Sequence, residues 1–211
     1  MLGRLFHKKE EESGVPIVLV AGLGNPGREY RENRHNIGFM LVDRLCRVLL
    51  ITPGKVQSKA IIATGQYAGK KIILAKPQTF MNLSGQSASG LMRFYKIPHE
   101  RLLLAHDDLD LPLGTIRLRP GGGAGGQKGV ASTIQQLGTQ NFARLRLGIG
   151  RPPGQMDPAA YVLQDFSRQE KDVVELVLDR AAKAALTFIE SGLEPAMNLY
   201  NGNLKEDGSL A

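Results

Sequence analysis

The chain has 211 residues, 42% hydrophobic and 22% charged, which is typical of a folded globular protein and excludes an intrinsically disordered one. Its 27 Lys and Arg against 20 Asp and Glu give a net charge of +7, which favours a polyanionic partner, although many basic proteins bind none. No apolar run approaches the roughly 18 residues of a membrane-spanning helix. The single cysteine, Cys46, excludes an internal disulfide and fits a reducing compartment. We therefore expect a cytoplasmic protein without a membrane partner.

Residues 1–14 are charged and contain no apolar segment, so they predict a disordered tail rather than a secretory signal. One domain is expected over residues 15–200, followed by a flexible end over 201–211. Strand and helix patterns alternate along this domain. The alternation predicts a single α/β domain, in which a twisted, mostly parallel mixed sheet has helices on both faces.

The first motif of the domain is a strand that ends in a glycine turn. The apolar run Ile17–Ala21 leads into Gly22–Gly27, and a helical pattern starts only at Ile37. The turn matches G-x-G-x-x-G, but dinucleotide binding needs a helix that starts on the glycines and an acidic residue after a second strand. Here the acid at that distance, Asp43, falls inside the helix, so the sequence argues against a nucleotide fold.

Three polar residues are candidates for a site at the carboxyl edge of the sheet. The glycine turn either carries Asn25 into a cleft or is a plain structural turn. His35 precedes a helix N-terminus, whose dipole favours the neutral imidazole of a general base; a surface or helix-entry histidine is the alternative. Asp107 follows the buried strand Leu102–Ala105, and its carboxylate would orient that imidazole. The preceding His106 is interpreted as structural.

Several neighbouring residues have simpler interpretations. Asp108 and Asp110 are interpreted as a solvated turn, and no second histidine or acidic cluster supports a metal site. Asn82 follows another strand end, where it either caps the next helix, as the local pattern favours, or presents its amide to a substrate carbonyl. No serine lies in a G-x-S-x-G elbow, and Cys46 lies in an apolar helical stretch. A hydrolase would therefore use water activated by His35.

A glycine-rich loop, Gly121–Gly129, has six glycines in nine residues. Its backbone N–H groups are suited to a phosphate or a chain end, while a flexible surface loop is the alternative. Because Lys128 is followed by Gly129 rather than by Ser or Thr, a Walker loop is excluded. The basic residues near the loop are Arg117, Arg119, Lys128, Arg144, Arg146 and Arg151.

Together these segments resemble bacterial peptidyl-tRNA hydrolases from about Val15 to Asn201. The resemblance is carried in order by GLGNPGREYRENRHNIGF, KPQTFMNLSGQS, AHDDLDLPLG, GGGAGG and NFARLRLGIGRPPG. It implies a monomeric α/β enzyme that hydrolyses the ester between a stalled peptide and tRNA, without a metal or cofactor, and releases both. The partner implied is peptidyl-tRNA.

The resemblance also implies residue roles. His35 matches the catalytic base, Asp107 its supporting acid, and Asn82 the residue that positions the substrate or its attacking water. Asn25 matches the residue that distinguishes N-blocked peptidyl-tRNA from aminoacyl-tRNA. The remaining residues expected to bind substrate or tRNA are Tyr30, Phe80, Met81, Gln127, Lys128, Arg144 and Arg146.

One departure from the family pattern lies in the glycine-rich loop. Gln127-Lys128 replaces the usual His-Asn, and Ala124 replaces an earlier histidine. This loop favours the main alternative, a non-catalytic RNA-binding relative, whereas the intact candidate residues elsewhere argue against it. A nucleotide-dependent oxidoreductase is the second alternative.

Overall fold

The computed structural model describes residues 14–203, which form an eight-stranded sheet with helices on both faces. The strands are β1 (Ile17–Gly22), β2 (Lys55–Gln57), β3 (Ala60–Tyr67), β4 (Lys70–Pro77), β5 (Leu102–Asp108), β6 (Thr115–Arg119), β7 (Ala143–Gly148) and β8 (Gly202–Asn203). The helices are α1 (Ile37–Val48), α2 (Ser84–Tyr95), α3 (Lys128–Leu137), α4 (Pro158–Val162), α5 (Arg168–Ser191) and α6 (Leu193–Tyr200).

The strands lie in the order β2-β3-β4-β1-β5-β7-β6-β8. The four central strands, β4, β1, β5 and β7, are parallel, while every pairing outside them is antiparallel. The predicted mixed α/β sheet is confirmed, with its parallel part at the centre. Central parallel strands are covered on both faces, which explains why β1 is an unbroken apolar run.

Two apolar clusters fill the space between the sheet and its helices. Val18 and Val20 of β1 pack in one cluster with α1, α5 and α6, whereas Leu19 and Ala21 pack in the other with α2 and α3. Cys46 is buried in the first cluster, as expected for a core residue. None of the helices within residues 14–203 combines the length and apolarity needed to cross a membrane.

Two glycines let the start of α1 lie directly on the ends of β1 and β5. A Cβ atom on Gly38 would lie 2.6 Å from the Ala105 carbonyl oxygen, and one on Gly22 would lie 2.0 Å from the Gly38 oxygen. Side chains at these positions would therefore push the helix away from the sheet. The close contact places the turn Arg34–Asn36, which carries His35, over the carboxyl edge of the sheet, where α/β proteins place their sites.

Ser167 and Glu170 form a capping box at the start of α5. The short elements β2, β8, α4 and α6 were not predicted. The flexible end predicted from residue 201 is wrong for Asn201–Asn203, because β8 pairs with β6 and the Asn201 amide hydrogen-bonds both backbone groups of Leu118. The predictions for residues 1–13 and 204–211 lie outside the described residues.

Candidate active site

A cleft of about 870 Å³ opens at the carboxyl edge of the central strands. Its walls include the glycine turn after β1, the residues after β4, the end of β5, the glycine-rich loop and the start of α4. The residues predicted from the sequence that it brings together are Asn25, His35, Phe80, Met81, Asn82, Asp107, Gln127 and Lys128.

The side chains of His35 and Asp107 are in direct contact. His35 Nδ1 lies 2.8 Å from Asp107 Oδ2, and the two side chains are 12% and 4% exposed. An ionised carboxylate only accepts hydrogen bonds, so Nδ1 carries the proton in this pair. Nε2, which has no partner within residues 14–203, is then the basic nitrogen at the cleft. This arrangement can accept a proton from a bound water.

Asn25 is fixed by three hydrogen bonds. Its backbone N–H donates to Asn36 Oδ1 at 2.8 Å, and its carbonyl accepts from Asn36 Nδ2 at 2.9 Å. Its own Oδ1 accepts from the Met81 backbone N–H at 2.9 Å. The Asn25 Nδ2 group has no partner elsewhere in the described part of the chain and remains available in the cleft. The glycine turn therefore presents a fixed donor.

Asn82 does not cap the following helix. It lies in the 3-10 turn Met81–Leu83, and neither this turn nor α2 has a side-chain cap. The cap interpretation that the local pattern favours is therefore wrong. Asn82 is exposed in the cleft, where its amide can contact a substrate or a water.

Gln127 lies between the glycine-rich loop and Asp107. Its Nε2 donates to Asp107 Oδ1 at 3.0 Å, while its Oε1 accepts from the Val130 N–H at 2.8 Å and caps α3. Sequence reasoning assigned Gln127 to the substrate and missed the contact with Asp107. The residue pattern gave no signal for it, because the two residues are 20 positions apart on different elements.

The prediction that Arg144 contacts tRNA is wrong in this structure, because its guanidinium is buried. Arg144 is 4% exposed and donates to the carbonyl oxygens of Gly122 and Gly123, the latter at 2.6 Å. Burial lowers the pKa of Arg144. The residue therefore anchors the glycine-rich loop to β7 instead of facing solvent.

Three other assignments also change. Arg146 is half-buried and donates through Nε to Asp108 Oδ2 at 2.5 Å, so it does not line the cleft. Asp108 is only 11% exposed, so its interpretation as part of a solvated turn is wrong, whereas Asp110 is exposed and pairs with Arg151. Tyr30 is half-buried and also lies outside the residues that line the cleft.

His106 points to the opposite face of β5 from Asp107 and does not line the cleft. Its ring is buried, Nδ1 lies 2.8 Å from the Asp107 carbonyl oxygen, and burial lowers its pKa. A histidine that is buried and neutral in this way belongs to the protein interior, in line with its structural interpretation. Over residues 14–203, no group of three His, Cys, Asp or Glu side chains is arranged to hold a metal ion.

The family model described as peptidyl-tRNA hydrolase matches residues 19–208. The chain belongs to the peptidyl-tRNA hydrolase family. It is 48% identical over 185 residues to the peptidyl-tRNA hydrolase of Desulfitobacterium hafniense (strain Y51), a match that covers 88% of this chain and all of that protein. It is 46% identical over 182 residues to that of Mycolicibacterium smegmatis (strain ATCC 700084 / mc(2)155), covering 86% of this chain and 95% of the relative.

Solved structures of the family have the same fold. The crystal structure of peptidyl-tRNA hydrolase from Acinetobacter baumannii superposes with a TM-score of 0.81 at 37% identity, covering 90% of this chain and 98% of that chain. Membership in this hydrolase family does not favour the RNA-binding alternative and excludes the oxidoreductase alternative.

Proposed function

We propose that this member of the peptidyl-tRNA hydrolase family hydrolyses the ester between a peptide, or another N-blocked aminoacyl group, and tRNA. The observation that carries the proposal is the contact between His35 and Asp107 at the cleft. Water adds to the ester carbonyl carbon, and the bond from that carbon to the ribose oxygen breaks. The products are free tRNA and the peptide acid.

His35 acts as the general base in this mechanism. Its Nε2 accepts a proton from the attacking water, while Asp107 holds the Nδ1–H and stabilises the imidazolium that forms. The imidazolium then returns the proton to the departing ribose oxygen, which leaves as a hydroxyl group. A general base of this kind typically contributes about 10²–10⁴-fold to the rate. The exposed amide of Asn82 positions the water or the substrate.

Asn25 selects N-blocked substrates. Because its Oδ1 accepts from the Met81 N–H, the atom left for the substrate is the Nδ2 donor. A donor matches the carbonyl oxygen of a blocking acyl group, whereas a free α-ammonium group has only donors. A substrate that leaves a polar group of the site without a hydrogen-bond partner is strongly disfavoured.

The tRNA end is bound at the rim of the cleft. Lys128 is exposed at the first residue of α3, where its charge and the helix N-terminus both attract a phosphate. Phe80 is exposed at the same cleft and offers a ring on which a base can stack. Tyr30, outside the cleft, is proposed to contact a more distant part of the tRNA end. We further propose that the protein acts as a monomer in the cytoplasm.

A release assay tests the proposed function. Purified protein is incubated with N-acetylated aminoacyl-tRNA and, separately, with the unblocked aminoacyl-tRNA. We expect rapid release of tRNA from the blocked substrate and little from the unblocked one. Binding of both tRNAs without release would overturn the proposal in favour of a non-catalytic RNA-binding protein.

A further inference from the structure

All the strong hydrogen-bonding groups of the Gln127 side chain are directed at the protein. Nε2 donates to Asp107 Oδ1 at 3.0 Å and lies 3.3 Å from Met81 Sδ, and Oε1 accepts from the Val130 N–H at 2.8 Å. The reverse amide orientation would place an oxygen against the carboxylate and an NH₂ group against an N–H, so the network fixes the assignment. Both amide hydrogens are therefore engaged, and little of the side chain remains for a substrate.

We propose that Gln127 is a positioning residue that acts through Asp107 on His35, and that it is not a substrate-binding residue. This inference rests on the proposed function. Asp107 is nearly fully buried, and a buried carboxylate needs partners at both oxygens. Oδ2 faces His35 and Oδ1 faces Gln127. With both oxygens held, the carboxylate cannot rotate, so Oδ2 stays aligned with the imidazole Nδ1–H.

Gln127 is itself rigid because it is built into the start of α3. Its side chain is the N-cap of this helix. The first turn packs so closely that a Cβ atom on Gly129 would lie 2.6 Å from Met81 Sδ and 3.1 Å from Gln127 Oε1. The neighbouring Lys128 is exposed, and its charge has no ion-pair partner among residues 14–203. These two adjacent residues thus have different roles, because Gln127 contacts the Asp107 carboxylate and Lys128 faces the cleft.

Two variants separate the contact with Asp107 from the helix cap. Gln127→Glu keeps the size and the oxygen that accepts from Val130, but it places a second carboxylate against Asp107. Gln127→Ser keeps an N-cap, because serine is among the best capping residues, but it is too short to reach Asp107. Lys128→Gln serves as the adjacent comparison, in which a contact with substrate is removed.

We measure kcat and KM on N-acetylated aminoacyl-tRNA and the ¹⁵N shifts of the His35 ring. Both Gln127 variants are expected to lower kcat by about ten- to hundredfold with KM nearly unchanged, because a hydrogen bond to a charged group is lost. The His35 ¹⁵N shifts should move away from those of a ring protonated only at Nδ1. Lys128→Gln should instead raise KM and leave these shifts in place.

A raised KM with wild-type kcat in the Gln127 variants would overturn the inference, and so would wild-type kcat and wild-type ¹⁵N shifts. If one of the two Gln127 variants fails to fold, the other still tests whether Gln127 positions Asp107. An inactive wild-type protein would refute the proposed function, while the ¹⁵N shifts would still test the positioning of His35. Active wild-type protein with unaffected Gln127 variants would refute only this inference.

Discussion

His35 and Asp107 are 72 positions apart in the chain, yet their side chains lie within hydrogen-bond distance. The contact depends on burial, because a carboxylate that is almost withdrawn from water interacts strongly with the few partners it has. Asn25 is held in the same manner through Asn36 and Met81. The site is therefore preorganised, with one basic nitrogen and one amide donor directed at the same cleft.

Asn25→Asp should abolish most of the selection for N-blocked substrates. The variant keeps the oxygen that accepts from Met81 but replaces the free NH₂ donor by an oxygen, which repels an acyl carbonyl and attracts an ammonium group. We expect kcat/KM on N-acetylated aminoacyl-tRNA to fall at least about tenfold relative to the unblocked form. Asn141→Asp, at an exposed asparagine outside the cleft, should leave this ratio unchanged. An unchanged ratio in Asn25→Asp would show that the amide donor does not select the substrate.

At the residue level, the sequence predicted site residues where a chemically reactive side chain stands next to a recognisable end of a strand or start of a helix. A histidine before a helix and an aspartate after a buried strand predict a pair at a sheet edge, and the two residues are in contact. Arg144 and Arg146 are two positions apart in an alternating strand pattern, which predicts that they share a face. The pattern does not predict that the glycine-rich loop folds over Arg144 or that Asp108 pairs with Arg146. Burial of a charged side chain depends on long-range contacts that local pattern does not contain.

At the level of elements, the turn that carries His35 is tied to the start of α5. The Arg34 guanidinium donates two hydrogen bonds of 2.9 Å to Glu170 and lies over the rings of Tyr161 and Phe166 at 4.5 Å and 4.9 Å. A planar guanidinium can pair with a carboxylate through two hydrogen bonds while it stacks on aromatic rings, a combination that lysine cannot make. The contact joins the active-site turn to α5, the longest helix within residues 14–203.

Glu170→Gln should destabilise the fold in a pH-dependent manner. Burial raises the pKa of Glu170, but hydrogen bonds from Arg34 and Ser167 lower it more, so the folded-state pKa lies below 4.5. The stabilisation is thus present at pH values above 4.5 and is lost as the pH falls through the folded-state pKa. We expect a loss of about 2 kcal/mol in the free energy of unfolding at neutral pH, since Arg34 loses its charged hydrogen-bond partner.

Urea unfolding of the wild-type protein and Glu170→Gln at neutral and acidic pH measures this difference. The difference should shrink as the pH falls, because protonated glutamate and glutamine are then equivalent. Glu32→Gln is the control. It breaks an exposed ion pair with Lys171, the neighbour of Glu170 on α5, and should change the free energy of unfolding little. A difference that is constant over the whole pH range would show that the Arg34–Glu170 ion pair does not stabilise the fold.

The elements with long apolar periodicity were predictable, whereas the short ones were not. Strand β1 and helices α1 and α5 have enough periodic residues for their type to be assigned from sequence. Helix α4 has five residues, and Tyr161 within it donates to the Ile149 carbonyl oxygen at 2.9 Å. The C-terminal end of α6 is similarly held, because Arg180 donates to the Tyr200 carbonyl oxygen at 2.9 Å. Such elements depend on tertiary contacts more than on their own sequence.

At the level of the whole molecule, four of the arginines that contribute to the net charge of +7 lie side by side on strands β6 and β7. In the pairing of β6 with β7, Arg117 lies opposite Arg146 and Arg119 lies opposite Arg144. The two β7 arginines are engaged within the protein, so the arginines of β6 are the better candidates to meet RNA. Arg119 is exposed and Arg117 is half-buried.

Arg119→Ala should weaken tRNA binding, and it should also reduce the dependence of the binding constant on salt concentration. Loss of one phosphate contact lowers the slope of log K against log salt concentration by about 1. Lys183→Ala, which removes an exposed charge on α5 across the sheet, is the matched control. Binding titrations at several salt concentrations measure the slope. Equal effects of both substitutions would mean that net charge, and not this face, attracts the tRNA.

The single-turnover release rate of His35→Ala, measured together with its affinity for N-acetylated aminoacyl-tRNA, tests the mechanism most directly. Since the imidazole acts only in the transition state, the rate should fall by about 10²–10⁴-fold while the dissociation constant stays within about twofold of the wild-type value. A wild-type rate, or equal losses in rate and affinity, would contradict the assignment of His35 as the base.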